Sequence, residues 1–247
     1  MGGLARRATK VKEERAASEN VLLLDGGNTL FGNQLAQETQ GRVIVEAMNL
    51  LGYDAMVLGD QDFRLGLDVL RQRMEEAKFS ILSANVMMAE TDQLFAAPYV
   101  IKEIGDHKVA IIGLTNQEAA SATGGAIVVL DPLEALGDLM GVVSEEADVV
   151  IVLSHLGTVM DMQMAGEVQG IDLIVGGQSR DVLDPPLWDE PSSTVIAQVG
   201  YQGRWIGVVR LDIVSQGAVA GHEGQAVVLD DEFADDLEMR ALLDQYK

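Results

Sequence analysis

Short apolar runs that end in glycine and polar residues alternate with longer amphipathic stretches through most of this chain. Val21–Leu24, Ala55–Leu58, Phe79–Leu82, Val109–Gly113, Val149–Leu153 and Leu173–Val175 have the length and composition of buried strands. Leu4–Ala17 is charged and helix-favouring. In Gln40–Leu51 the apolar residues Val43, Ala47, Leu50 and Leu51 recur at helical spacing and stop at Gly52, a residue suited to the position after a helix. Leu67–Ala77, Leu133–Glu146 and Met160–Val168 predict further helices. Strands separated by helices predict α/β architecture. From Thr194 the pattern changes. Thr194–Val199, Trp205–Ile213 and Gln225–Leu229 read as strands joined by short turns, hence antiparallel, before a terminal helix over Leu237–Tyr246. No repeat or low-complexity linker interrupts the chain, so residues 1–247 are expected to form one domain.

Composition narrows the function classes. With 17 basic and 39 acidic residues the net charge is −22, the wrong sign for gripping a phosphate backbone, and no nucleic-acid partner is expected. The apolar runs are too short to span a bilayer, so no membrane insertion is expected. Met1 is followed by glycines and a charged stretch, without the apolar core of a leader. Cysteine is absent, which excludes disulfides and thiolate metal sites.

Candidate chemistry sits in the loops. Open α/β sheets bind ligands beyond the carboxyl ends of their strands. Four strand ends here join polar residues to glycine: Asp25-Gly26-Gly27-Asn28, Gly59-Asp60-Gln61-Asp62, Ser154-His155-Leu156-Gly157 and Gly176-Gly177-Gln178-Ser179-Arg180. One such loop is an ordinary turn signal; four in order predict a site built from four strand ends.

Taken with Gly2–Arg6, Leu22–Asn28, Met48–Arg64, Ser83–Val86, Ile111–Thr115, Val152–Gly157 and Gly170–Arg180, these loops resemble the calcineurin-like metallophosphoesterases. The branch is that of the 5′-nucleotidases and their thiosulfate-ester-cleaving relatives. The resemblance runs over almost the whole chain. It implies a four-layer α/β/β/α sandwich of the metallophosphoesterase type, with a dinuclear metal site at one edge of the paired sheets.

Within that resemblance the departures are severe. The family's opening Asp-x-His motif would precede Gly2 and does not occur, so the first metal site is expected to be lost and the chain to be a fragment or truncated member. The bridging aspartate corresponds to Asn28 and a metal-binding asparagine to Asp60. Gln61 stands at the catalytic histidine and Arg64 at the aspartate that orients it. His155 matches a ligand histidine, Gln178 replaces another, and Arg180 replaces the last ligand. The vestigial second site is thus Asn28, Asp60, His155 and Gln178. Two-metal hydrolysis needs a carboxylate bridging cations roughly 4 Å apart. A neutral amide is a poor bridge, glutamine cannot act as an acid, and arginine repels a cation.

No catalytic residue is therefore expected to be intact, and no cofactor beyond one weakly held divalent ion. Arg64 or Arg180 is expected to pair with Asp25, Asp60 or Asp62 and stand in for lost metal charge. The reading is a pseudo-enzyme serving as a structural or binding module. A protein partner, self-assembly or a small phosphoester ligand stay open. The alternative is a metal-dependent phosphoester hydrolase acting on nucleotides or related small esters. The family implies an extracytoplasmic location.

Overall fold

The computed structural model describes residues 2–214 and 219–246; Met1 and Lys247, the ends of the single-domain reading, lie outside the described residues. In chain order the elements are α1 (Leu4–Ala17), β1 (Leu24–Asp25), α2 (Gln34–Glu38), α3 (Arg42–Leu51), β2 (Ala55–Val57), a 3-10 turn (Asp60–Phe63) and α4 (Leu67–Glu76). They continue with β3 (Ser80–Leu82), β4 (Val86–Met88), β5 (Tyr99–Ile104), β6 (His107–Thr115), α5 (Glu118–Ala122), β7 (Ile127–Val129), α6 (Pro132–Glu146) and β8 (Val149–His155). Then come α7 (Thr158–Glu167), β9 (Leu173–Gly176), β10 (Leu187–Asp189), β11 (Thr194–Ala197), β12 (Trp205–Ile213), β13 (Val219–Val228) and α8 (Leu237–Asp244).

Alternation along the strands builds the layers, because successive side chains point to opposite faces of a sheet. Along β6, Val109 and Ile111 enter one buried cluster while Ala110, Ile112 and Leu114 enter another. The first cluster lies between two sheets: a parallel one of order β1-β2-β3 and a six-stranded one of order β10-β11-β9-β8-β6-β5. It joins Ala55, Val57 and Leu82 to Ile111, Ile151, Leu153 and Val195, with Val209 and Leu211 of the antiparallel β12-β13 ribbon against it. The second cluster packs α6 and α7 on the outer face of the six-stranded sheet through Leu136, Val143 and Met164. The third packs Ala8, Val11, Val45, Met48, Leu70 and Met239, from α1, α3, α4 and α8, outside the smaller sheet. The result is the expected α/β/β/α order. The sheets approach closely at Gly113, where a Cβ would lie 2.7 Å from the Leu82 side chain.

Local signals account for the element ends. Gly52 closes α3 with a φ of 66°, a conformation glycine adopts without steric cost. Asp131 caps α6, accepting hydrogen bonds from the amides of Leu133 and Glu134, with Pro132 in the first turn. The basic face of α1 meets the acidic chain end: Lys12 Nζ lies 2.6 Å from Asp236 and 3.3 Å from Glu238.

Two expectations need correcting. Thr194–Ala197 is not a purely antiparallel strand: β11 runs parallel to β9 and antiparallel only to β10. The connection from β9 to β11 passes through β10 and re-enters the parallel sheet, which a local pattern of short turns does not reveal. The strand read over Val21–Leu24 pairs only at Leu24 and Asp25.

Candidate functional site

All four glycine-bearing loops leave the carboxyl ends of parallel strands β1, β2, β8 and β9, so the topology brings them to one edge of the two sheets. Glycine makes the convergence sterically feasible. A Cβ on Gly59 would lie 2.8 Å from His155 Cδ2, and one on Gly177 would lie 2.8 Å from His155 Nδ1 and 2.3 Å from the Gly26 carbonyl.

At the centre stands Asp60, opening the 3-10 turn after β2. Its Oδ1 accepts from Asn28 Nδ2 at 3.0 Å and lies 3.5 Å from His155 Nε2. Gln61 Nε2 donates to its Oδ2, and Asn116 Nδ2 approaches Oδ1 at 3.5 Å. The carboxyl is held well below the usual range, chiefly by His155, which outweighs burial and is aided by Asn28 and Gln61. Burial pulls His155 down, but Asp60 and the Gly26 carbonyl more than compensate, and its pKa is raised. The His155 Nδ1 is 2.6 Å from the Gly26 oxygen, so it carries the proton and turns Nε2 towards Asp60.

The orientation of Asn28 follows from its neighbours. The Gln61 backbone N–H can only donate, and it reaches Asn28 Oδ1 at 2.8 Å. Asn28 must therefore present its NH2 group to Asp60, whose ionised carboxylate can only accept. Its backbone sits at a φ of 60°, in the left-handed region that asparagine tolerates best among non-glycine residues.

Beneath this cluster the fully buried Asp62 ties two loops together. It accepts from the amides of Asn28 (2.8 Å), Leu30 (3.0 Å) and Gly59 (3.0 Å). Asp25 works within its own loop, accepting from the Gly27 amide at 3.0 Å and the Thr29 hydroxyl at 2.6 Å.

The remaining candidates lie further out. Gln178 stands against Gly157, its Oε1 within 2.7 Å of where a Cβ would be, and none of the described residues hydrogen-bonds its side chain. The expected pairing of Arg64 or Arg180 with an aspartate does not occur: among the described residues neither arginine has a carboxylate within 4.0 Å. Both are exposed, and Arg180 turns to Tyr201, 5.4 Å from its ring centre. The acid at position 60 is satisfied by neutral donors and an imidazole, so no guanidinium is needed beside it.

Asn116, at the end of β6, was not among the sequence candidates. It is buried, faces Asp60 and Glu118, and leaves its Oδ1 without a partner. No glycine flags its loop; the signal was the strand end itself.

These residues do not fit a pair of cations. Asn28 spends its one oxygen on the Gln61 amide and aims hydrogens where a bridging carboxylate would be required. Among the described residues no group of three or more His, Cys, Asp or Glu side chains could hold a metal ion. Asp60 and the buried Nε2 of His155 that faces it offer two ordinary ligands, fewer than structural or catalytic metal sites use.

Behind the site, Asp161 of α7 accepts from the Ser154 hydroxyl, and its Oδ2 has no partner. Burial pushes its carboxyl up to about 7, against that hydrogen bond and the charge of His155. A raised pKa in the folded state means stability that is fully present below the ordinary value near 3.9 and is lost as pH rises towards about 7. Asp161→Asn removes the charge, so we expect it to gain about 1–2 kcal/mol over the parent at pH 8 and little at pH 4. Urea denaturation at both pH values checks this; equal effects at the two would show that Asp161 is ionised throughout.

No family model matches the chain. It is 32% identical to the snake venom 5′-nucleotidase of Naja atra, over all of this chain and 51% of that protein. It spans about half, or less, of the length of the curated relatives it matches. A 5′-nucleotidase precursor from Thermus thermophilus superposes with a TM-score of 0.89 at 28% identity, covering 99% of this chain and 52% of that one. The calcineurin-like phosphoesterase YfkN from Bacillus subtilis superposes with a TM-score of 0.86 at 24% identity, covering 99% and 88%. In layer order, loop placement and likeness to these proteins, the chain is a calcineurin-like metallophosphoesterase domain of the 5′-nucleotidase type.

Proposed function

We propose that this domain does not hydrolyse phosphoesters and serves as a structural or binding module. The observation that carries the reading is the amide of Asn28 donating to Asp60 at 3.0 Å, a hydrogen bond in the place where a bridging carboxylate would have to face two cations. Chemistry at the neighbouring positions agrees. Gln61 has no titratable proton, and Arg64 is exposed rather than set against it as an orienting acid. Residues 1–247 act as one domain in this proposal, since the three buried clusters share the same two sheets. No helix among the described residues is long and apolar enough to cross a membrane. An extracytoplasmic location is part of the proposal through the family alone.

One observation favours the rival reading of a metal-dependent hydrolase. Asn116 Oδ1 is buried without a hydrogen-bond partner beside Asp60, as a group that receives a ligand would be, and His155 Nε2 has only the 3.5 Å ion pair with Asp60. A single assay separates the two. With Mg, Mn, Zn or Co and a nucleoside monophosphate, turnover is expected to stay at background. Turnover above roughly 1 per second, the low end of ordinary enzymes, that vanishes in His155→Ala would establish the hydrolase instead.

A further inference from the structure

Further along the same sheet edge from Asp60 stand two arginines. Arg180 follows β9 and Arg204 follows β11, neighbouring parallel strands. Both guanidinium groups lie over one ring, Tyr201, at 5.4 Å and 5.6 Å from its centre. Arg180, Tyr201 and Arg204 are all exposed.

The platform beneath them is braced. The Gly200 amide donates to the Asp181 carbonyl at 2.6 Å, the Leu183 amide to the Gln198 carbonyl at 2.9 Å, and Val182 bridges to Val199. The acid nearest in sequence, Asp181, is exposed, and its carboxylate accepts from the Thr158 hydroxyl at 2.7 Å. Among the described residues neither arginine has a carboxylate within 4.0 Å, although the chain carries 39 acidic residues. Most other arginines are paired: Arg6, Arg42, Arg71, Arg73, Arg210 and Arg240 each meet an acid.

Each guanidinium lies within 5.6 Å of the same ring centre, so an anion bound beside that ring meets positive charge from both. Stacking on a ring uses the face of a guanidinium and leaves its N–H edge free, which is the edge that grips a phosphate or carboxylate bidentately. A compact dianion suits two such forks better than a monoanion. We propose that Arg180 and Arg204, held together by Tyr201, form a phosphate-binding site, displaced along the sheet edge from the Asp60–His155 cluster. The ligand is the phosphate dianion, free or at the end of a phosphomonoester. This deepens the reading of the domain as a non-catalytic binding module and rests on it only in that nothing turns the ligand over.

The test is calorimetric titration of the full chain with inorganic phosphate and, separately, with phenyl phosphate, at constant ionic strength and with sodium chloride as control. Saturable phosphate binding is expected, weakened about tenfold or more in Arg180→Gln and again in Arg204→Gln, as loss of a charge-assisted hydrogen bond implies. Tyr201→Leu should weaken it while keeping both charges, because the forks are no longer gathered. Tighter binding of phenyl phosphate assigns the site to esters, and equal binding assigns it to free phosphate. Both arginines are exposed, so these variants are expected to fold, and unchanged circular dichroism confirms it. Absence of saturable binding, or affinity unchanged in the double arginine variant, overturns the site while leaving the absence of hydrolysis untouched. Hydrolysis lost in His155→Ala would overturn the non-catalytic reading while leaving the binding measured in the arginine variants to stand.

Discussion

Asp62→Ala is expected to destabilise the domain by about 3–5 kcal/mol, more than any single change at its exposed neighbours. Removing the carboxylate strands three N–H groups, those of Leu30 and Gly59 in buried bonds and that of Asn28 in a part-buried one. Each buried donor left without a partner costs about 1–3 kcal/mol, and more where the lost acceptor was charged. Asp62→Asn should also destabilise, by about 1–3 kcal/mol, because one carboxylate oxygen becomes an NH2 group pointed at backbone donors. Chemical denaturation of both variants measures this. The loops of Asn28 and Asp60 hang from Asp62, so the near-ultraviolet spectrum should change with stability. A loss below about 1 kcal/mol in both variants would mean that water reaches these amides and that Asp62 does not hold the loops.

Much of the fold was legible because its determinants are local. Leu4–Ala17 and Trp205–Ile213 were read to the residue, and the end of α3 follows from Gly52. What escaped depends on partners distant in sequence. The direction of β11 is fixed by pairing with β9 across an intervening hairpin strand. Tyr99–Ile104 was not read as a strand; it is an edge strand paired only with β6, half-buried along most of its length, and lacks a clean alternation.

The site divides in the same way. Asn28, Asp60 and His155 could be placed together, because glycine-marked strand ends point to one edge wherever the strands run parallel. Arg180 could not be aimed, because its side chain follows a left-handed turn, at a φ of 65°, and meets a tyrosine on a different loop. Asp62 was read as an acid at the site's edge and a possible arginine partner, not as a buried anchor for backbone amides. Its burial is set by three amides, two of them more than thirty positions away, at Asn28 and Leu30.

Asn28→Asp should make the domain depend on a divalent cation for stability. In the parent, Asn28 supplies a donor to Asp60, and its oxygen satisfies the Gln61 amide. The aspartate keeps the second bond and reverses the first, setting two carboxylates about 3 Å apart at a part-buried edge. Like charges that close cannot both ionise without a counter-charge. His155 lies 3.5 Å from Asp60 and can offset one of them, not two. In the presence of a chelator the variant is therefore expected to lose about 2–4 kcal/mol, somewhat less than breaking a fully buried pair costs. Manganese or zinc at a hundredfold excess over its dissociation constant would return about 2.7 kcal/mol, now held by Asp60, the new aspartate and His155. The parent should show little response to either metal. Thermal denaturation of parent and variant, each with chelator and with metal, gives all four values. A variant as stable as the parent in chelator, with no gain from metal, would show that position 28 does not face Asp60 in solution and would remove the observation on which the non-catalytic reading stands.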